Sequence, residues 1–212
     1  MDILTSIHGR KVGLGPSGEL IVNGDNGQLV LGDTRSAPGA KNGSTVTAVE
    51  SGDGIWRRTR LTCAATPISI SDDAGVAQYG GVKVYDFPEG LICVMGCVID
   101  GALTGYASLI DTFDGDVALG TVTATTGATL TSTEANILQS TPISQAVGEV
   151  ATCDAVTAAT ALTEAGSRWL DGTTTAIDMF LNFVIDDNAA HGAGTATFTG
   201  TIEFVWCKIG DK

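Results

Sequence analysis

Five cysteines, at positions 63, 93, 97, 153 and 207, and two histidines, His8 and His191, are the residues of this 212-residue chain best equipped to hold a metal or to act as nucleophile or base. Cys93 and Cys97 lie four residues apart. On a strand that spacing puts both on one face but roughly 13 Å from each other, too far for one metal ion or one disulfide. There is no CxxC pair and the count is odd, so the cysteines read as small buried hydrophobes in a reducing compartment. His191 sits near Asp186 and Asp187, a setting that suits a metal ligand or a general base. With no second histidine nearby and no cysteine at ligand spacing, it reads instead as an exposed structural residue.

The other chemical candidates are carboxylates. The run DTFDGD places Asp111, Asp114 and Asp116 around a glycine, which invites a calcium reading. The spacing departs from an EF-hand loop and lacks its closing glutamate, so a solvated acidic turn between strands is the simpler account. Gly13, Gly15 and Gly18 imitate a phosphate-binding glycine pattern, but Pro16 and a following strand replace the helix that such a loop requires. No nucleophile elbow, zinc-protease or Walker motif is present. Paired carboxylates of a polysaccharide hydrolase, drawn from Asp111, Asp114, Asp116, Asp186 and Asp187, stay open as an enzymatic alternative. The expectation is a protein that is not an enzyme and uses neither cofactor nor metal.

Charge narrows the partners. The chain carries a formal net charge of −13, unevenly placed. Residues 1–60 hold seven basic and six acidic side chains, whereas residues 61–212 hold four basic and eighteen acidic ones. An acidic body repels phosphate, so direct nucleic-acid binding is not expected. Arg57, Arg58 and Arg60 fit intersubunit or carboxylate contacts better. No run of about 18 apolar residues exists to cross a membrane as a helix. The beginning MDILTSIHGRK has its basic pair after its apolar part, the reverse of a secretory signal, which points to assembly in the cytoplasm.

The elements that must position these residues are strands. Hydrophobic residues make up 43% and charged residues 17%, a globular balance, and 28 glycines against 5 prolines favour strands joined by many turns. HGRKVGLGPSGELIVNG reads as an extended hairpin: Val12 and Leu14 on one limb, turn chemistry at Gly15-Pro16-Ser17-Gly18, and Leu20-Ile21-Val22 on the other. Such a ribbon buries little by itself. Glycine, serine, asparagine and aspartate interrupt the sequence from there to Gly54, so residues 1–55 read as arm and linker and residues 56–212 as the body.

In the body, Ile177, Met179, Leu181, Phe183 and Ile185 alternate with more polar neighbours, as do Ala196, Phe198, Ile202, Phe204 and Trp206. These two half-buried strands would form a hairpin with a long tip. LICVMGCVI, Leu91 to Ile99, is apolar on both phases and reads as a central strand covered on both faces. Weaker strands are expected at 60–70, 80–87 and 117–130. Thr131 to Glu134 has capping-box spacing ahead of one short helix. The fold class is all-β, an antiparallel β-sandwich or jelly-roll body with an extended N-terminal arm.

The segments YGGVKVYDFPEGLICVMGCVID, DGDVALGTVTATTGATLTSTEANILQST, DGTTTAIDMFLNFVIDD and GTIEFVWCKIGD, together with the opening HGRKVGLGPSGELIV, give the chain a resemblance to virion structural proteins of tailed bacteriophages. It resembles their capsid decoration, or cement, proteins. The resemblance implies a β-sandwich body, self-association and attachment to the outer surface of the assembled major-capsid-protein lattice. Tail, neck or fibre components are the alternative within that class. Three-fold lattice positions imply a homotrimer, with Tyr79, Tyr85, Trp169 and Phe180 as exposed contact candidates. Arg10, Lys11, Val12, Leu14, Leu20, Ile21 and Val22 of the arm, and Arg57, Arg58 and Arg60 of the body, are the expected capsid or subunit contacts.

Overall fold

The computed structural model describes residues 3–7, 10–14, 20–23, 40–52, 56–73, 77–105, 114–127, 129–144, 150–152, 155–156, 169–185 and 193–208. The expected ribbon is there: β1 (Ile3–Ile7), β2 (Arg10–Leu14) and β3 (Leu20–Asn23) form an antiparallel three-stranded sheet of their own, with Leu14 opposite Leu20 and Val12 opposite Val22.

The remaining strands belong to one twelve-stranded sheet. They are β4 (Ala40–Lys41), β5 (Val46–Ser51), β6 (Trp56–Asp73), β7 (Ala77–Asp86), β8 (Gly90–Thr104), β9 (Asp114–Gly120), β10 (Leu138–Ser144), β11 (Val150–Thr152), β12 (Ala155–Val156), β13 (Trp169–Gly172), β14 (Asp178–Ile185) and β15 (Gly194–Lys208). The spine runs β10-β9-β14-β7-β6-β15-β8-β11, every pairing is antiparallel, and β4, β5, β12 and β13 pair at the flanks. The protein is all-β, its sheet curled into a half-barrel. One core holds side chains from β9, β10 and β14 at one end of the spine and from β8 and β15 at the other. Sheet twist brings these ends over each other, so a single sheet supplies both layers.

That curl accounts for the aromatic centre. Tyr85 and Phe87 meet Phe204 and Trp206 edge to face, with ring centroids 5.1 to 5.6 Å apart. Phe183 of β14 reaches Phe198 of β15 at 6.2 Å. The hairpin expected between these two strands does not form. β14 pairs with β7 and β9, and β15 with β6 and β8, so each has two neighbours and the two face each other across the core.

Bulges explain other departures. In β6 the buried side chains are Thr59, Leu61 and Cys63, then Thr66, Ile68 and Ile70. The phase changes at Ala65, whose φ of +50° marks the irregularity, and the Thr199 hydroxyl accepts the Ala65 N–H at 3.2 Å. In β8 the inward positions are Ile92 and Val94, then Cys97 and Ile99, and the β15 register slips there so that Met95 is the extra residue. LICVMGCVI is therefore apolar on both phases because its phase shifts, and Met95 and Val98 are exposed on the far face. A similar slip at Val84 buries Tyr85 completely, removing it from the exposed contact candidates. Tyr79 and Phe180 are half-buried.

Two boundaries also move. β4 pairs with β7 and β5 with β6, and Val46 is in the core, so residues 40–51 are part of the body sheet. The alternation of Val46, Ala48 and Glu50 is too short to stand out against its glycine-rich surroundings. The strand expected at 117–130 stops at Gly120, where Thr121 N–H turns to Thr133 O at 2.8 Å. The expected helix is a single 3₁₀ turn, Ser132–Glu134, with the Glu134 carboxylate accepting the Thr131 N–H at 3.5 Å.

Candidate functional site

Directly opposed residues of an antiparallel pair project to the same side, so the register defines what the outer face of the half-barrel displays. Across β5, β6, β15 and β8 one row reads Val49, Arg60, Glu203, Val98, and the next reads Ser51, Arg58, Val205, Gly96. A third row crosses β6, β15, β8 and β13 as Trp56, Cys207, Cys93, Trp169. Among the described residues seven large apolar side chains are exposed, and six of them belong to this face: Val49, Trp56, Met95, Val98, Trp169 and Val205. Such a concentration is the mark of a surface meant to be covered.

The same parity divides the arginines. Arg58 and Arg60 stand on the outer face and converge on Glu203, Arg58 through Nη2 and through Nε at 3.2 Å, Arg60 through Nε at 3.3 Å. The Arg58 hydrogen bond, with the charge of both arginines, holds the Glu203 carboxyl below its usual range. Arg57 points to the core side, 5.9 Å above the Trp206 ring and 3.5 Å from Glu50, whose other oxygen accepts the Tyr85 hydroxyl. The arginine cluster of the sequence thus meets carboxylates of its own chain.

Trp56 and Trp169 are each about half exposed and stand three strand spacings apart, about 14 Å. Cys207 and Cys93 lie between them, buried yet outside the main core. The Cys93 thiol donates to Met95 Sδ at 3.6 Å. Cys207 hydrogen-bonds to Cys93, and its thiol is pushed up by burial first and by Cys93 second. Cys63 and Cys97 are core residues whose thiols burial also raises. Four of the five cysteines are thus buried, as their composition suggested, and Cys153 lies outside the described residues. The Cys93–Cys207 opposition had no sequence signal, since it depends on the pairing of β8 with β15.

Asp116 is half-buried and accepts from Ser140 Oγ at 2.8 Å, and Asp114 opens β9 opposite Ser144. Asp111, Asp186, Asp187, His8 and His191 lie outside the described residues. Among the described residues no three histidine, cysteine or acidic side chains form a metal-holding group, and no helix is long and apolar enough to cross a membrane. A carboxylate pair that the sequence did not suggest lies on β7 and β14: Lys83 Nζ bridges Asp86 at 2.6 Å and Asp178 at 3.0 Å. Desolvation and the neighbouring Asp178 raise Asp86, while hydrogen bonding from Asp86 lowers Asp178.

The arm candidates fall on the ribbon, with Arg10, Lys11, Val12 and Leu14 on β2 and Leu20, Ile21 and Val22 on β3. Comparison of the chain with protein-family models, with curated proteins and with solved structures finds no match.

Proposed function

We propose that this chain is a structural binding protein of a tailed-bacteriophage particle, a decoration protein that attaches to the outer surface of the assembled major-capsid-protein shell and stabilises it. The observation that carries the reading is that, among the described residues, six of the seven exposed large apolar side chains gather on one face of the half-barrel, in a chain whose N-terminal strands form a three-stranded sheet of their own. The resemblance of its β7–β8, β9–β10, β14 and β15 segments to decoration proteins supports it. The ribbon serves as a clamp, offering main-chain hydrogen bonds to a neighbouring strand edge. Ordering such a clamp costs entropy, which repetition over a lattice offsets by multivalency. The acidic body keeps the decorated surface soluble. Three copies associate at three-fold lattice positions, with Trp169 at the contact.

The test is the copy number and position of the chain in purified particles, by quantitative mass spectrometry and electron cryo-microscopy. Hundreds of copies spread over the shell are expected. A few copies confined to a tail or neck would overturn the decoration reading.

A further inference from the structure

The sulfur atoms on the outer face have a geometry that the decoration role does not use. Cys207 and Cys93 are directly opposed on β15 and β8, which places their Cβ atoms about 5 Å apart on one side of the sheet. The bulge at Met95 brings a third sulfur to the first of these, with Cys93 Sγ and Met95 Sδ 3.6 Å apart. Trp56 and Trp169 pair with the two cysteines from the flanking strands. Burial removes both thiols from water, whereas Met95 is exposed.

We propose that Cys93, Cys207 and Met95 form a binding site for Cu(I), held by two thiolates and one thioether in trigonal geometry. With metal–sulfur bonds of about 2.3 Å, the sulfur–sulfur edges of a trigonal site are about 4 Å. The observed 3.6 Å edge therefore opens by only a few tenths of an ångström on binding. The ligand set also selects the ion. Thiolate and thioether sulfurs favour Cu(I), whereas a structural Zn(II) site wants four ligands and does not take a thioether. Binding displaces one proton from each thiol and changes no oxidation state. The complex carries one net negative charge. The site lies between the two tryptophans, so its occupancy stiffens the edge where β13 joins β8.

The experiment uses the full chain in a Cys153→Ser background, reduced and anaerobic, titrated with Cu(I) as its bicinchoninate complex. One Cu(I) is expected to be withdrawn per chain, and X-ray absorption should show a shell of three sulfurs at about 2.3 Å. Cys93→Ser and Cys207→Ser should each abolish withdrawal. Met95→Leu should weaken it by about tenfold or more, since loss of a direct ligand exceeds the effect of losing an outer partner. Cys97→Ala, in the core, should leave it unchanged. Circular dichroism checks that each variant folds, and the absorption spectrum of the chain with all three sulfurs decides the matter if any does not. No withdrawal of Cu(I), a nitrogen or oxygen shell, equal competition by Zn(II), or a Cys93–Cys207 disulfide that persists in reductant would each overturn the proposal.

Discussion

Asn182 Oδ1 accepts the backbone N–H of Ala124 at 3.0 Å, and the same side chain donates through Nδ2 to Val122 O at 2.9 Å and Glu134 O at 2.8 Å. One fully buried amide on β14 thus satisfies three backbone groups of the segment 121–136, and it replaces the strand pairing that ends at Gly120. Asn182→Leu keeps the branching and the number of heavy atoms and supplies none of the bonds. The orphaned Ala124 N–H alone costs about 1–3 kcal/mol, so chemical denaturation should show a loss of at least that size. A change below about 0.5 kcal/mol would mean that the segment bonds elsewhere.

Gly81 lies under the same amide. A Cβ there would come 2.3 Å from Asn182 Oδ1 and 2.6 Å from Thr123 Oγ1. Gly81→Ala should therefore destabilise the fold by pushing the amide off Ala124. Its effect should shrink when Asn182 is alanine, because the atom that the new Cβ meets first is then gone. A double-mutant cycle measures this, and additive losses would show that the two residues act independently.

Trp206 Nε1 donates to Thr59 Oγ1 at 2.9 Å inside the aromatic cluster. Thr59→Val keeps the shape and removes the acceptor. The expected cost is about 1–3 kcal/mol, the penalty for an unpaired buried indole N–H. Intrinsic tryptophan fluorescence during urea titration gives the midpoint shift, and a shift below about 0.5 kcal/mol would mean that the indole N–H finds another acceptor.

The Glu203 carboxyl titrates below its ordinary value of 4.5, chiefly through Arg58. A depressed acid contributes stability that is present above that ordinary value and is lost as pH falls through the folded one. Thermal midpoints measured down the acid limb should fall more steeply for the native chain than for Glu203→Gln. Because Arg58 is largely exposed, the difference should be small and should shrink with added salt. Asp178 acts with the same sign, while Asp86, raised by desolvation, acts with the opposite sign and offsets it.

Residues 40–51 belong to the body sheet, so the cut that removes only the arm falls before Ala40. A chain lacking residues 1–39 should fold, with the β-sheet circular dichroism and thermal midpoint of the full chain, and should lose attachment to undecorated capsid shells in a sedimentation assay. Full occupancy without the arm would remove the ribbon from the proposed clamp.

Much of the architecture was legible because it is local. Alternation in 177–185 and 196–206 named the side chains of β14 and β15 that face the main core. β14 is not half-buried as expected, however: Asn182 and Val184 are buried on its other face, Asn182 by hydrogen bonds to the segment 121–136 and Val184 in a second apolar cluster with Ala118, Ala124 and Leu130. Turn chemistry at 15–18 announced the pairing of β2 with β3, and capping-box spacing at 131–134 announced the 3₁₀ turn. Phase failed wherever a bulge intervened: Ala65, Val84 and Met95 each reverse which side chains face inward, and a bulge leaves no periodic signature.

What the amino-acid sequence determined by itself was a strand-built, acidic body with a separate ribbon before it. Only the tertiary structure decided that β14 and β15 lie across the core from each other. It alone set Arg58 and Arg60 on the outer face with Glu203, sent Arg57 to the core side, and brought Cys93, Met95 and Cys207 together. The physical reason is that alternation states which face a side chain takes, whereas neighbours across a sheet are chosen by register and curl. Register and curl are settled by the fit of the whole core, and no single segment carries that information.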